Sequence, residues 1–370
     1  MMNKYFDTFY DWWKNIDKSI FFIIATFFAL GLFFSLVSTS IIASDKLDTN
    51  SYYFFLKHLA FVTVGIFIIL LFSLFNREFL VRMSVFLFFF AFAALILVPF
   101  FGVEVKGSKR WLDLGALPRF QPIETLKPFF VIVVSIIISL DKKNLYLKYS
   151  LSTIVLLPTI ILLLSQPDLG QTLLILCVWL SIVFVSGINL ILFSFSIILL
   201  TTITFILVFF VPKFEYIKIR LLAFLDVSEG NNYQADKASD AISSGGFFGK
   251  GIGEGTLNSR IPEAHTDYIM SVVAEEFGVI IVTCIIFLYL IFSYRVIKKI
   301  NFTDNNNFKL ILVGCVTIIL VQTFIHVGVN IRILPTTGMT MPFLSYGGSS
   351  IIGTSILSGI ILNLTKRKLS

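Results

Sequence analysis

Three ionisable side chains, Glu263, His265 and Asp267, close the most polar stretch of a very apolar chain. That stretch runs from Gly245 to Asp267, is rich in glycine, and leads straight into a long apolar run. An acid at the mouth of a membrane helix has mixed solvation, which suits a general base that must take up and release a proton. Asp267 is therefore the candidate working carboxylate. A plainer role, compatible with the first, is to cap the helix that follows. Glu275 and Glu276 lie about 12 Å further along that run at the rise of an α-helix. At 100° per residue Glu275 is about 80° round from Asp267 and Glu276 about 180°, so Glu275 is the one expected to share its cleft. Acids this deep face protein or water, and a hydrogen-bonded structural role is the favoured reading for both.

Other candidates are scattered along the chain. Glu124 and Lys127 are three residues apart, so on a helix they share a face and pair. The pair is either mutually neutralised or lines a polar cleft where Lys127 meets an anion. Lys106, Lys109 and Arg110 stand beside Trp111, a combination that suits phosphate groups at headgroup depth and equally suits an anchor. Asp168 in SQPDLG follows Pro167 and is placed to cap the next helix, which does not prevent it from facing a cavity. Several chemistries fail on spacing. The Gly249-Lys250 pair has Ser244 where a phosphate-binding loop needs glycine, and Gly251 where it needs Ser or Thr. Ser345 lies between Leu344 and Tyr346, not in a Gly-x-Ser-x-Gly elbow. His58 and His326 are far apart in sequence, and neither HExxH nor CxxC spacing occurs, so no metal site is expected. Cys177, Cys284 and Cys315 sit in apolar runs and read as buried fillers.

These side chains must be positioned by membrane helices. The chain has 370 residues, 57% apolar, including 42 Phe, with a mean hydropathy of +0.91. A soluble domain cannot cover itself with such a composition; this is an all-α polytopic membrane protein. Ten spans are expected, at about 20–42, 54–75, 83–101, 123–140, 150–165, 170–186, 190–211, 268–294, 309–328 and 349–365. Residues 1–19, with Tyr10, Trp12 and Trp13 beside Lys14, suit an interfacial segment, and 20–370 a single ten-helix domain. The first run, Ile20–Ile42, reads as an uncleaved span.

Loop charge sets the orientation. With the N-terminus cytoplasmic, the inner segments hold Lys4, Lys14, Lys18, Arg77, Arg82, Lys142, Lys143, Lys148, Arg295, Lys298, Lys299, Lys309, Lys366, Arg367 and Lys368. The short outer ones hold only Lys46, Lys57 and Arg332, so both termini are expected inside. The unusual sequence then falls outside, in loops at about 102–122, 212–267 and 329–348. One-sided chemistry fits a surface enzyme better than a channel or carrier, which places ionisable groups near the bilayer centre. The net charge of +7 flanks apolar runs instead of clustering on a soluble face, so no nucleic-acid partner is expected.

Five stretches, KGSKRWLDLGALPRFQPIETLK, SQPDLGQTLL, SGGFFGKGIGEG, IPEAHTDYIMSVVAEEFG and LPTTGMTMPFLSYGGSS, resemble the SEDS family (shape, elongation, division and sporulation) in the family's order and over nearly the whole chain. Members include FtsW, RodA and SpoVE. The LPTTGMTMPFLSYGGSS stretch is most similar to the division type, FtsW. Pro122-Ile123-Glu124 departs from the Pro-Ser-Glu or Pro-Ala-Glu common in the family but keeps its acid. The resemblance implies a peptidoglycan glycosyltransferase that polymerises lipid II, the undecaprenyl-diphosphate-linked disaccharide-pentapeptide, at the outer face of the bacterial cytoplasmic membrane during septal synthesis. An elongation-type polymerase and a lipid II flippase are the alternatives. It also implies Asp267 as base and Arg110, Glu124, Lys127, Asp168, Glu263 and His265 as cavity-lining or substrate-binding groups. A divalent cation, Mg or Mn, is a candidate aid to the leaving group. The implied partners are a class B penicillin-binding protein and other division proteins.

Overall fold

The computed structural model describes residues 9–46, 52–105, 108–113, 115, 118–140, 144–225, 233–257, 261 and 263–367. Lys4, Lys106, Lys142, Lys143 and Lys368 lie outside them. Each expected span is a helix: α2 (Lys18–Lys46), α3 (Tyr53–Leu74), α4 (Arg77–Phe101), α5 (Pro122–Ile138), α6 (Leu145–Ser165), α7 (Leu169–Val185), α8 (Leu190–Phe210), α11 (Ile269–Ile300), α12 (Asn306–Asn330) and α13 (Gly348–Leu364). Seven are long and apolar enough to cross a membrane; α5, α7 and α13 have 17 residues each. The short ones are the interior ones. Fourteen of the α5 residues are buried, including both charges, and α13 is buried over nearly its whole length. By contrast only 6% of α8 is buried, and α4 turns Phe86, Phe89, Phe90 and Phe100 outward. In water such a surface would aggregate; in lipid it is the expected outer wall.

A short helix α1 (Phe9–Asn15) precedes the bundle. Its Trp12 is buried, and the indole N–H donates to Ser73 Oγ at 2.9 Å, so this segment docks on the bundle end instead of merely lying on a surface. The same end collects both termini. The Arg367 amide donates to the Asn15 carbonyl at 2.9 Å, Lys299 pairs with Asp17 at 2.8 Å, and Arg77 Nη2 donates to the Lys366 carbonyl at 2.7 Å.

The opposite end is more structured than its sequence shows. Two strands, β1 (Gly102–Val105) and β2 (Ser108–Leu112), pair antiparallel, with Val103 facing Trp111 and Glu104 facing Lys109. The long segment before α11 contains two helices, α9 (Glu215–Leu225) and α10 (Tyr233–Gly245). On α10 the small residues Ala235, Ala238, Ala241 and Gly245 are all buried, and such a face permits close backbone packing on α11. Cys284 is exposed on α11, so it faces the surroundings and is not the buried filler its run implied.

α11 is two helices joined at a kink. Gly278 interrupts it with φ 83° and ψ 168°, a conformation open to glycine. The glycine-rich loop 245–253 folds back onto this break. Amides of Lys250 and Gly251 donate to the carbonyls of Glu275 and Glu276 at 2.9 and 3.0 Å, and the Val279 amide donates to Gly246 at 3.0 Å. Backbone groups released by the break are thereby paired, as an apolar medium requires.

Candidate active site at the outer end of the bundle

Arg110 reaches from β2 to the turn between α6 and α7. Its Nε donates to the Gln166 carbonyl at 3.3 Å, its Nη2 donates to the Pro167 carbonyl, and the guanidinium lies 3.7 Å from Asp168 Oδ2. Asp168 is the N-cap of α7, accepting from the Gln171 amide at 3.3 Å. It also accepts from Gln121 Nε2 at 3.3 Å. Burial pushes the Asp168 carboxyl up, and Arg110 opposes that shift. The cap and the ion pair are thus one structure, joining strand, turn and helix.

Asp267 comes to the same place along a different path. The N-cap of α11 is Tyr268, not Asp267, so the acid stands one residue outside the helix. It is held by its backbone. The Asp267 amide donates to the Glu263 carbonyl at 3.1 Å, and its carbonyl accepts from Asn330 Nδ2 at 3.1 Å. The segment 331–347 then folds over the α7 start. Gly338 has φ 68°, and a methyl group in place of its α-hydrogen would stand 3.3 Å from Asp267 Oδ2 and 3.8 Å from Arg110 Nη1. The carboxylate and the guanidinium therefore flank one small gap beside Gly338.

Glu124 and Lys127 are deeper and fully inside the protein. Lys127 Nζ is 2.9 Å from Glu124 Oε2 and donates to Gln322 Oε1 at 3.0 Å. Gln171 Nε2 donates to Glu124 Oε1 at 2.6 Å, and Gln322 Nε2 donates to the Thr340 carbonyl at 2.9 Å. This network ties the first turns of α5 and α7 to α12 and the 331–347 segment. It meets the Arg110–Asp168 cluster through Gln171, whose amide caps on Asp168 while its side chain holds Glu124.

Glu263 and His265 build the turn that presents Asp267. Glu263 has φ 58°, its carbonyl accepts from the amides of Thr266, Asp267 and Tyr268, and its Oε2 accepts from Thr266 Oγ1 at 2.8 Å. The His265 ring lies 5.5 Å from Phe54 and 5.6 Å from Tyr346, and its carbonyl accepts from the Tyr346 amide at 3.0 Å. Glu275 does not share the Asp267 cleft. Its Oε1 is 3.2 Å from Lys250 Nζ and accepts from the Leu257 amide at 3.0 Å, so it fastens the glycine-rich loop.

Among the described residues no group of three or more His, Cys, Asp or Glu is gathered as for a metal ion. Both Asp168 oxygens serve Gln171, Gln121 and Arg110. Sequence reading passed over Gln121, Gln171, Gln322, Asn330 and Gly338. Neutral amides carry no charge pattern, and only the fold shows that they join four segments. The arrangement as a whole offers a carboxylate able to accept a proton next to a guanidinium able to hold an anion.

The family model FTSW_RODA_SPOVE, described as "Cell cycle protein", matches residues 17–369. The chain is 29% identical to "Probable peptidoglycan glycosyltransferase FtsW" of Caulobacter vibrioides over 96% of this chain and 91% of that one. It is 32% identical to the protein of the same name from Francisella salina over 95% and 89%. A solved structure described as "Structural coordination of polymerization and crosslinking by a peptidoglycan synthase complex" is similar at a TM-score of 0.76 and 26% identity, covering 95% of this chain and 97% of that one. The bundle, with seven helices long and apolar enough to cross a membrane, and a match that takes in every helix from α2 to α13 lead to one conclusion: this chain belongs to the FtsW/RodA/SpoVE family and is an integral membrane protein.

Proposed function

We propose that the chain is a peptidoglycan glycosyltransferase of the division type, polymerising lipid II at the outer face of the cytoplasmic membrane and acting at the septum. The observation that carries this reading is that Asp267 and Arg110 both border the space beside Gly338. The names of the relatives support it.

In the proposed reaction the 4-hydroxyl of the acceptor sugar attacks the anomeric carbon of the donor. A C–O bond forms to the acceptor, and the C–O bond to the diphosphate breaks. The hydroxyl proton goes to Asp267, and the electron pair leaves with undecaprenyl diphosphate, whose charge Arg110 stabilises. A positioned base contributes roughly 10²–10⁴-fold, and stabilising the leaving charge at least a comparable factor. Lys127 is taken up by Glu124 and Gln322, so its part is to hold the helices that carry the site. No step is assigned to a metal ion. The product is an uncrosslinked glycan, so a class B penicillin-binding protein is the proposed partner; a relative's complex that couples polymerisation to crosslinking supports it.

Purified Asp267→Ala protein, given lipid II in detergent or bilayers, should fold and insert as the parent does and make no glycan. Polymer from this variant at the parental rate would overturn the assignment.

A further inference from the structure

α9 lies beside the turn that Arg110 grips. The Tyr216 hydroxyl donates to the Leu164 carbonyl at 3.3 Å, and Arg110 takes the carbonyls of Gln166 and Pro167 just beyond. Arg220 follows Tyr216 by one helical turn and so projects from the same face. That face is the one turned to the protein: Ile217 is buried, while Ile219, Leu222 and Leu225 are exposed, as on a helix lying at a membrane surface. Arg220 is half-buried, and among the described residues it has neither a hydrogen bond nor an ion pair. Its charged neighbours are Arg110 and Asp168, and the neutral Tyr216 lies beside it.

The Arg220 guanidinium thus feels both Arg110 and Asp168, and that carboxylate is already engaged by Arg110, Gln171 and Gln121. Burial, and after it Arg110, pull the Arg220 guanidinium below its ordinary pKa. Burial pushes the Tyr216 phenol up to about 12, so it remains a neutral donor. A like-charged, half-desolvated pair is unfavourable until an anion bridges it. Guanidinium forks match phosphate oxygens two at a time, and two adjacent forks match two adjacent phosphoryl groups.

We infer that Arg110 and Arg220 form a two-armed clamp for the diphosphate of a polyprenyl-linked substrate, with α9 supplying the second arm. The inference rests on the glycosyltransferase reading of the outer site and adds to it a second residue, Arg220, for the diphosphate. The position of α9, following the lipid-facing α8, sets the clamp at headgroup depth.

The test is equilibrium binding to the full chain in lipid nanodiscs, with undecaprenyl diphosphate, undecaprenol and inorganic pyrophosphate as probes. Undecaprenyl diphosphate should bind, undecaprenol should not, and pyrophosphate should compete only weakly. Arg220→Gln should weaken undecaprenyl diphosphate about tenfold, equivalent to about 1.4 kcal/mol. Arg220→Lys, which keeps the charge and loses the fork, should fall between the two. Thermal unfolding of each variant separates a lost clamp from a lost fold. Parental affinity in a folded Arg220→Gln chain overturns the clamp, and pyrophosphate binding as tightly as the lipid overturns its assignment to a lipid-linked group. If Asp267→Ala still polymerises lipid II, the base assignment falls while the clamp stands.

Discussion

Asn330 holds Asp267 by its main chain. Its Nδ2 donates to the Asp267 carbonyl at 3.1 Å and to the His326 carbonyl at 2.8 Å, while its Oδ1 accepts from the amide and hydroxyl of Ser271 at 3.1 and 2.7 Å. One buried amide at the end of α12 thus fixes the start of α11 and the residue before it. Asn330→Ala leaves these groups without their partner in an apolar interior. A loss of about 2–4 kcal/mol is expected. Displacement of Asp267 by even an ångström should lower polymerisation about 10²-fold. Thermal unfolding and lipid II turnover of the purified variant check both parts.

Gly338 sets the width of the gap between Asp267 and Arg110. Alanine there meets Asp267 Oδ2 at 3.3 Å and must also keep a φ of 68°. The left-handed backbone alone costs about 1–2 kcal/mol. The effect on turnover should be disproportionate: at least tenfold less glycan from a chain whose unfolding temperature falls only modestly. A parental rate in Gly338→Ala would show that substrate does not enter this gap.

The Glu124–Lys127 pair makes a distinct prediction. Both side chains are almost fully buried, so removing one strands the other. Lys127→Met or Glu124→Leu alone should cost about 3–5 kcal/mol, whereas the double change Glu124→Leu with Lys127→Met should recover most of that stability. Unfolding curves for the two singles and the double measure the coupling. Strict additivity of the two losses would mean that the pair does not act as a unit.

The inner end offers a pH test. Burial disfavours the Asp17 carboxylate, but Lys299 and the Ile20 amide outweigh it, and the net pKa lies below the ordinary value. A lowered pKa in the folded state gives stability that is present above the unfolded value, about 3.9, and is lost as pH falls through the folded one. The pair is partly exposed, so its worth after solvent screening is about 0.5 kcal/mol. Asp17→Asn should therefore be slightly less stable than the parent at neutral pH and indistinguishable from it in strong acid. Thermal unfolding across that range reads the difference.

What the sequence disclosed follows from what lipid demands of it. Apolar runs must be helices, so all ten spans were legible, and charge asymmetry put both termini at one end, where Arg367 and Asn15 are hydrogen-bonded. The outer segments obey no such rule. The strand pair carrying Arg110 is only nine residues, and α9 and α10 are short helices whose partners are distant in sequence. Projecting a helix from residue 268 put Glu275 toward Asp267. The glycine-rich loop folds back and takes Glu275 instead, a tertiary contact that no periodicity encodes. Arg110, Asp168 and Asp267 could be singled out by type. Their convergence depends on Gly338, Gln121 and Asn330, whose side chains carry no charge to mark them.

The break at Gly278 divides labour within α11. The longer part, beyond the glycine, is a lipid-facing rod whose tilt answers to the bilayer around it. The shorter part, which leads to Asp267, is clasped by the loop 245–253 and by Asn330, both of them protein. A rigid helix of 32 residues would act as a lever, carrying every tilt of the membrane segment to the carboxylate at its tip. The interrupted one ends that lever at Gly278, where the loop 245–253 braces the break on both sides, at Glu275 and Glu276 before it and at Val279 after it.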